Sequence, residues 1–168
     1  MDAAALKLQQ SPFKDKYREA PDTAVVTLSA HGRIGDGVTC SVDTGKALVA
    51  AGLHPATGGD GLSACSGDML LQALVACAGV TLNAVATALD LPVKDARIVA
   101  EGDLDFRGTL GVAKDAPVGF RDIRLRFEID GDLTGEQRAT LIKLTERYCV
   151  VYQTLRTPPK IAVTSGTV

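Results

Sequence analysis

The chain of 168 residues carries 18 basic and 20 acidic residues, for a net charge of −2, and its basic residues are scattered along the sequence. That balance leaves no electrostatic footprint for nucleic acid. The hydrophobic fraction of 46% suits a folded globular protein, but with four phenylalanines, three tyrosines and no tryptophan, bulky binding anchors are scarce.

In chain order, residues 1–21 are charged and weakly patterned and are expected to form an arm ahead of a single domain over 22–168. The opening MDAAALKLQQSPFKDKYREA has no positive stretch leading into a long apolar run, so no secretory signal is expected and a reducing, cytoplasmic setting is. AVVTLSA (24–30) and VTCSVD (38–43) read as strands joined by a glycine-rich turn, HGRIGDG (31–37), which together make a hairpin. KALVAAGL (46–53) fits a third strand or a short helix, and HPATGGDGLSACSG (54–67) is a long glycine-rich connection of the kind that forms sites.

A helix is expected from Ser66, an N-cap residue type, with Asp68 in the first turn where a carboxylate complements the helix dipole. Leu71, Val75, Ala78, Leu82, Val85 and Leu89 share one face, with Leu70, Leu74 and Cys77 beside it, so the apolar surface nearly encircles the helix. Such a helix needs cover on several sides, from its own sheet and a second helix or from another subunit. Residues 69–89 approach membrane-spanning length, but Gln72, Thr81, Asn83 and Thr87 interrupt them, and a buried helix is expected rather than a membrane span. Pro92 marks the end of the helix.

ARIVAEGDLDF (96–106) and GFRDIRLRFEID (119–130) read as strands, the second alternating Ile123, Leu125, Phe127 and Ile129 with charged residues, the pattern of a sheet with one wet face. LTGEQRATLIKLTERYC (133–149) opens with Thr134 and Gln137 in capping-box spacing, TPP (157–159) stops the helical region, and KIAVTS reads as a last strand. Strands, buried helix, strands, helix, strand make an α+β domain.

The chemistry centres on the four cysteines. Cys40, Cys65, Cys77 and Cys149 contain no C-x-x-C or H-x-x-x-H element, which argues against zinc, and no nucleophile elbow or phosphate loop is present. His31 and His54 fall in loop-like segments and read as inert surface residues; a cysteine hydrolase would need one of them to reach Cys77, and the spacing does not support it. Free cysteine packs readily as a small hydrophobe, and Cys40, alternating with Val38 and Val42, is expected to do so. Cys77 and Cys149, two thiols in helical settings far apart in sequence, suggest a redox pair. A thiol peroxidase needs a cysteine activated by a nearby cation and a second cysteine to capture the sulfenic acid. Arg33 is the candidate cation, because a guanidinium stays charged and can hold a thiolate and a carboxylate together.

SGDMLLQALVACAGVTLNAVA resembles the central helix of the OsmC/Ohr family, the osmotically induced and organic hydroperoxide resistance proteins, whose hallmark is P-x-E-L-L-x-A-A-x-x-A-C. RYCVVYQTL is similar to the family's second motif, C-P-V-x-x-x-L, with Val150 in place of the proline, and GLHPATGGDG resembles its proline and double-glycine approach to the helix. The resemblance covers about residues 22–165. It implies an OsmC-like fold of the OsmC-like branch, in which antiparallel sheets wrap a buried central helix and two chains form an intertwined homodimer. It further implies a cofactor-free reduction of organic hydroperoxides in oxidative-stress defence, with Cys77 reactive, Cys149 resolving, and a dithiol, lipoyl-linked in well-known members, restoring the enzyme. The well-studied peroxidases have a glutamate ten residues before the reactive cysteine; Gly67 stands there, and Asp68 matches the glutamate that many relatives carry nine residues before it. Cys65, in the loop before the helix, is an alternative resolving thiol. The loss of the glutamate leaves a second expectation, an OsmC-fold redox-sensing or small-ligand-binding protein with little peroxidase activity.

Overall fold

The computed structural model describes residues 3–35, 39–42, 51–62 and 64–165. Its elements are α1 (Ala3–Glu19), β1 (Val25–Gly35), β2 (Thr39–Val42), α2 (Ser66–Ala88), β3 (Val93–Asp105), the single turn α3 (Phe106–Thr109), β4 (Phe120–Gly131), α4 (Gly135–Tyr148) and α5 (Val150–Arg156). The four strands form one antiparallel sheet in the order β2-β1-β3-β4. Helix α2 lies against β1, β2 and β3 on one side and against α4 and α5 on another, so the fold is α+β.

The core follows from two periodicities meeting. On β3, Ile98, Ala100 and Leu104 point to one face and are buried. On α2, Leu71, Leu74, Val75, Ala78, Leu82 and Ala86 are buried. Each leucine or isoleucine fully withdrawn from water contributes about 1.5–3 kcal/mol. Small residues on both surfaces, Ala78, Gly79, Ala96 and Ala100, suit close approach of the helix to the sheet. The opposite face of the sheet is charged: Arg124 bridges Asp103 and Glu101, Arg97 meets Glu128, and Arg33 meets Asp95. Hydrogen bonds from Arg124 and then Thr27 hold the Asp103 carboxyl down at about 2. The expected alternation in β4 is present, with Ile123, Leu125, Phe127 and Ile129 half-buried and the charged residues between them exposed.

Residues 3–19 of the expected arm form a helix that docks through Tyr17, which is 2% exposed and donates its hydroxyl to the Ala56 carbonyl at 2.5 Å. Four expectations change. The glycines of HGRIGDG do not end the first strand. β1 runs on to Gly35 because both neighbours supply partners for it: β3 pairs His31 with Val99, Gly32 with Ile98 and Arg33 with Arg97, and β2 pairs Ile34 with Cys40 and Gly35 with Thr39. Helix α2 takes in Ser66, and its N-cap falls on Cys65, which makes no side-chain capping bond. The helical region near the C-terminus is broken at Cys149, whose backbone is extended at φ −71°, ψ 108°. KIAVTS makes no strand: residues 160–165 have no regular structure, and Ile161 and Val163 are exposed. The Cys40 side chain and residues 46–50 lie outside the described residues; Cys40 itself stands on β2 opposite Ile34.

The loop leading into α2 owes its shape to its double glycine. A 3-10 turn over Pro55–Thr57 closes on Gly58 at φ 93°, a conformation costly for any residue with a Cβ. Gly59 then passes so close to the chain that a Cβ there would sit 1.7 Å from the Leu53 carbonyl oxygen. The GG pair is therefore required for the return of the loop onto Leu53.

Candidate active site

Cys77 lies in the middle of α2, half-buried, and Cys149 lies at the break between α4 and α5, 1% exposed. The fold sets the two cysteines near one another, close enough for Cys77 to act on the Cys149 thiol, with no disulfide between them. Cys149 does two backbone jobs at once. Its N–H closes α4 on the Thr145 carbonyl, and its sulfur caps α5 by accepting the Tyr152 N–H at 3.5 Å. Burial is the main force pushing the Cys149 thiol up, to about 11, and neighbouring Cys77 adds to the rise, while backbone N–H groups of Tyr152 and Val151 oppose it. At neutral pH Cys149 is a protonated thiol shielded from solvent. Cys77 is the sulfur of the pair that a solute can approach.

The other expected site residues do not join this pair within the chain. Asp68 stands nine residues before Cys77 on the same helix, about 13.5 Å along the axis and half a turn out of phase. Its carboxyl is raised by burial, and nearby His54 opposes the rise. Arg33 donates to Asp95 at 2.7 Å on the charged face of the sheet. Its register partner Arg97 is exposed while neighbouring Ile98 is buried against the core, so Arg33 faces away from α2. Cys65, at the N-cap, is twelve residues from Cys77 along a continuous helix, or about 18 Å. The expectation that Cys65 reaches Cys77 is thus corrected by the rise of the helix that separates them.

His31, expected in a loop, lies on β1 and contacts Arg97 at 3.3 Å on the charged face, whereas His54 lies in a loop as expected. His54 accepts the Ala56 N–H at its Nδ1 and stacks on Phe106 with ring centres 5.0 Å apart. It lines a cleft of about 350 Å³ with Cys65, Leu70 and Phe120 at the N-terminal end of α2. Among the described residues no group of three or more His, Cys, Asp or Glu is placed to hold a metal ion.

One feature near the thiols escaped the sequence reading. The half-buried inner face of β4 and the side of α5 enclose a cleft of about 530 Å³, walled by Leu125, Phe127, Tyr152 and Leu155 and rimmed by Arg121 and Arg156. Tyr152 joins this cleft to Cys149, and Leu74 joins it to α2. The β4 alternation was the available signal, but which element would cover that face was not written in it.

A buried helix laid on an antiparallel sheet, with a thiol at its centre near a second thiol from a broken helix, defines an α+β protein with a preformed dithiol. The sequence model of the OsmC-like protein family matches residues 58–164, and the chain belongs to that family. Two solved structures share the fold. An OsmC-like hydroperoxide resistance protein from Jannaschia sp. CCS1 superposes with a TM-score of 0.58 at 18% identity, over 82% of this chain and 91% of that one. An OsmC-like protein from Mycoplasma pneumoniae gives 0.56 at 16% identity, over 80% of this chain and 86% of that one. No curated protein matches the chain in sequence.

Proposed function

We propose that the chain is a cofactor-free thiol peroxidase that reduces organic hydroperoxides through Cys77 and Cys149. The observation that carries this reading is that one half-buried thiol, Cys77, has a second, buried and protonated thiol, Cys149, near it across the fold. The Cys77 thiolate attacks the terminal peroxide oxygen; an S–O bond forms, the O–O bond breaks, and the departing alkoxide takes a proton to become the alcohol. The Cys149 thiol then attacks the Cys77 sulfenic acid, its proton leaving with the hydroxyl as water, and the two cysteines become a disulfide. An external dithiol, lipoyl-linked by analogy with the family, takes the oxidation by thiol–disulfide exchange and returns both thiols. The nearness of the two cysteines in the reduced fold favours this second step. The hydroperoxide resistance named for the Jannaschia protein is in keeping with this chemistry.

The working unit in this reading is a cytoplasmic homodimer. Met69, Ala73, Ala76, Cys77, Val80 and Ala84 form an apolar stripe along α2 that neither the sheet nor α4 and α5 cover fully. A stripe of that length on a core helix suits a second copy, which places the dithiol beside the subunit interface.

A second reading has its own support. Arg33 and Asp68 stand away from Cys77 in the chain, and a cleft of mixed apolar and charged lining reaches Tyr152 beside Cys149, as would suit a redox-sensing or ligand-binding protein with little turnover. One experiment tests the proposed chemistry: reduced protein is mixed with one equivalent of cumene hydroperoxide, free thiols are counted, and any disulfide is mapped by peptide mass spectrometry. Rapid loss of two thiols with a Cys77–Cys149 link is expected. Unreacted thiols would refute peroxidase activity.

A further inference from the structure

Nothing in the local sequence breaks a helix between Tyr148 and Val150, since TERYCVVYQTLR contains no glycine or proline. Yet the chain leaves the helix at Cys149, and that extended residue turns the sulfur onto the start of α5, on the side of the fold where Cys77 lies near it. In an unbroken helix the Glu146 carbonyl would accept the N–H of Val150. The extended ψ at Cys149 turns that N–H away, and the carbonyl is satisfied instead by the side chain of Gln153, whose Nε2 donates to it at 2.7 Å. This bond ties the last turn of α4 to the first turns of α5 across the break. Residues 150 and 151, both valine, weaken the helical alternative only slightly.

We infer that Gln153 is a positioning residue for Cys149: its clasp on Glu146 keeps the chain broken at Cys149 and so holds the second thiol near the first. Gln153 does not touch the reacting atoms. It acts on the closing step, in which the Cys149 sulfur displaces the group carried by Cys77, and not on the initial attack. The inference rests on the dithiol reading above, but its test can be made independent of peroxide.

Wild type, Gln153→Met and Gln153→Met/Val150→Pro are compared. Methionine keeps the length and removes the donor. Proline at position 150 disfavours helical backbone at the residue before it and carries no N–H, so it restores the break by a different route. Reduced protein is treated with diamide, a diazene oxidant: the Cys77 thiolate adds to the N=N bond, and Cys149 displaces the reduced hydrazine as the disulfide forms. Adduct formation and disulfide closure are followed separately by quenched mass spectrometry. Loss of the clasp is expected to slow closure by about tenfold, as one hydrogen bond to an otherwise unpaired carbonyl warrants, while adduct formation is unchanged. The double variant is expected to close at the wild-type rate. Closure in Gln153→Met as fast as in wild type would overturn the inference, and so would a slow Gln153→Met that proline fails to rescue while circular dichroism shows the native fold. Failure of wild type to consume cumene hydroperoxide, with normal diamide closure, would count against peroxidase activity and leave the clasp standing.

Discussion

The raised Cys149 thiol makes stability depend on alkaline pH in a way that can be isolated. Its ordinary value of 9.0 is pushed up to about 11, chiefly by burial, at a residue 1% exposed. The folded state therefore holds the proton more tightly than the unfolded state. Its contribution is complete below about pH 9 and is lost as pH rises toward 11. A shift of this size corresponds to about 3 kcal/mol in full, and about 2 kcal/mol of it is lost by pH ~10.5. Lysines and tyrosines titrate in the same range, so the quantity to measure is a difference between wild type and Cys149→Ala, which share those groups. Urea denaturation in the presence of a phosphine reductant, repeated from about pH 8 to about pH 10.5, gives that difference. Wild type is expected to lose about 2 kcal/mol more than Cys149→Ala across the range. A difference that stays constant with pH would refute the placement of a protonated Cys149 in a dry site near Cys77.

Further outcomes follow from the same geometry. Replacing Cys77 with serine is expected to abolish peroxide reduction, whereas Cys149→Ser should still oxidise once and accumulate a sulfenic acid that a 1,3-diketone traps; turnover surviving in Cys77→Ser would remove it as the attacking thiol. Arg33→Ala is expected to leave the pH–rate profile unchanged and to cost less than about 1 kcal/mol, since its ion pair with Asp95 is exposed on the far face of the sheet; a displaced profile would put Arg33 at the thiols. Tyr17→Phe should cost about 1–2 kcal/mol in chemical denaturation by depriving the Ala56 carbonyl of its partner, and an unchanged midpoint would mean that α1 does not anchor the loop before α2. With iodoacetamide near neutral pH, Cys149 should be labelled at least about a hundredfold more slowly than Cys65, because almost none of it is thiolate; comparable labelling would contradict its burial.

Local pattern determined a good deal here. The nearly all-round apolar run of 66–88 became a core helix, the alternation of 120–130 became a strand with a wet face, and Thr134 with Gln137 forms the capping box its spacing announced. These features depend on neighbours a few residues away, so they can be read from order alone. The pairing of Cys77 with Cys149 was suggested by sequence, through two thiols in helical settings and their motifs, and it stands as the proposal tested above. What order alone did not carry was decided across the fold. Arg33 went to the charged face because β3 extended the first strand through its glycines. Cys65 was removed from reach by the rise of an unbroken helix. The helix at Cys149 was opened by a side chain seven residues away from the carbonyl it satisfies. The separation of Cys65 follows from helix rise alone, but the placements of Arg33 and Cys149 turn on a register or a hydrogen bond between different elements, and such bonds exist only once those elements have been packed together.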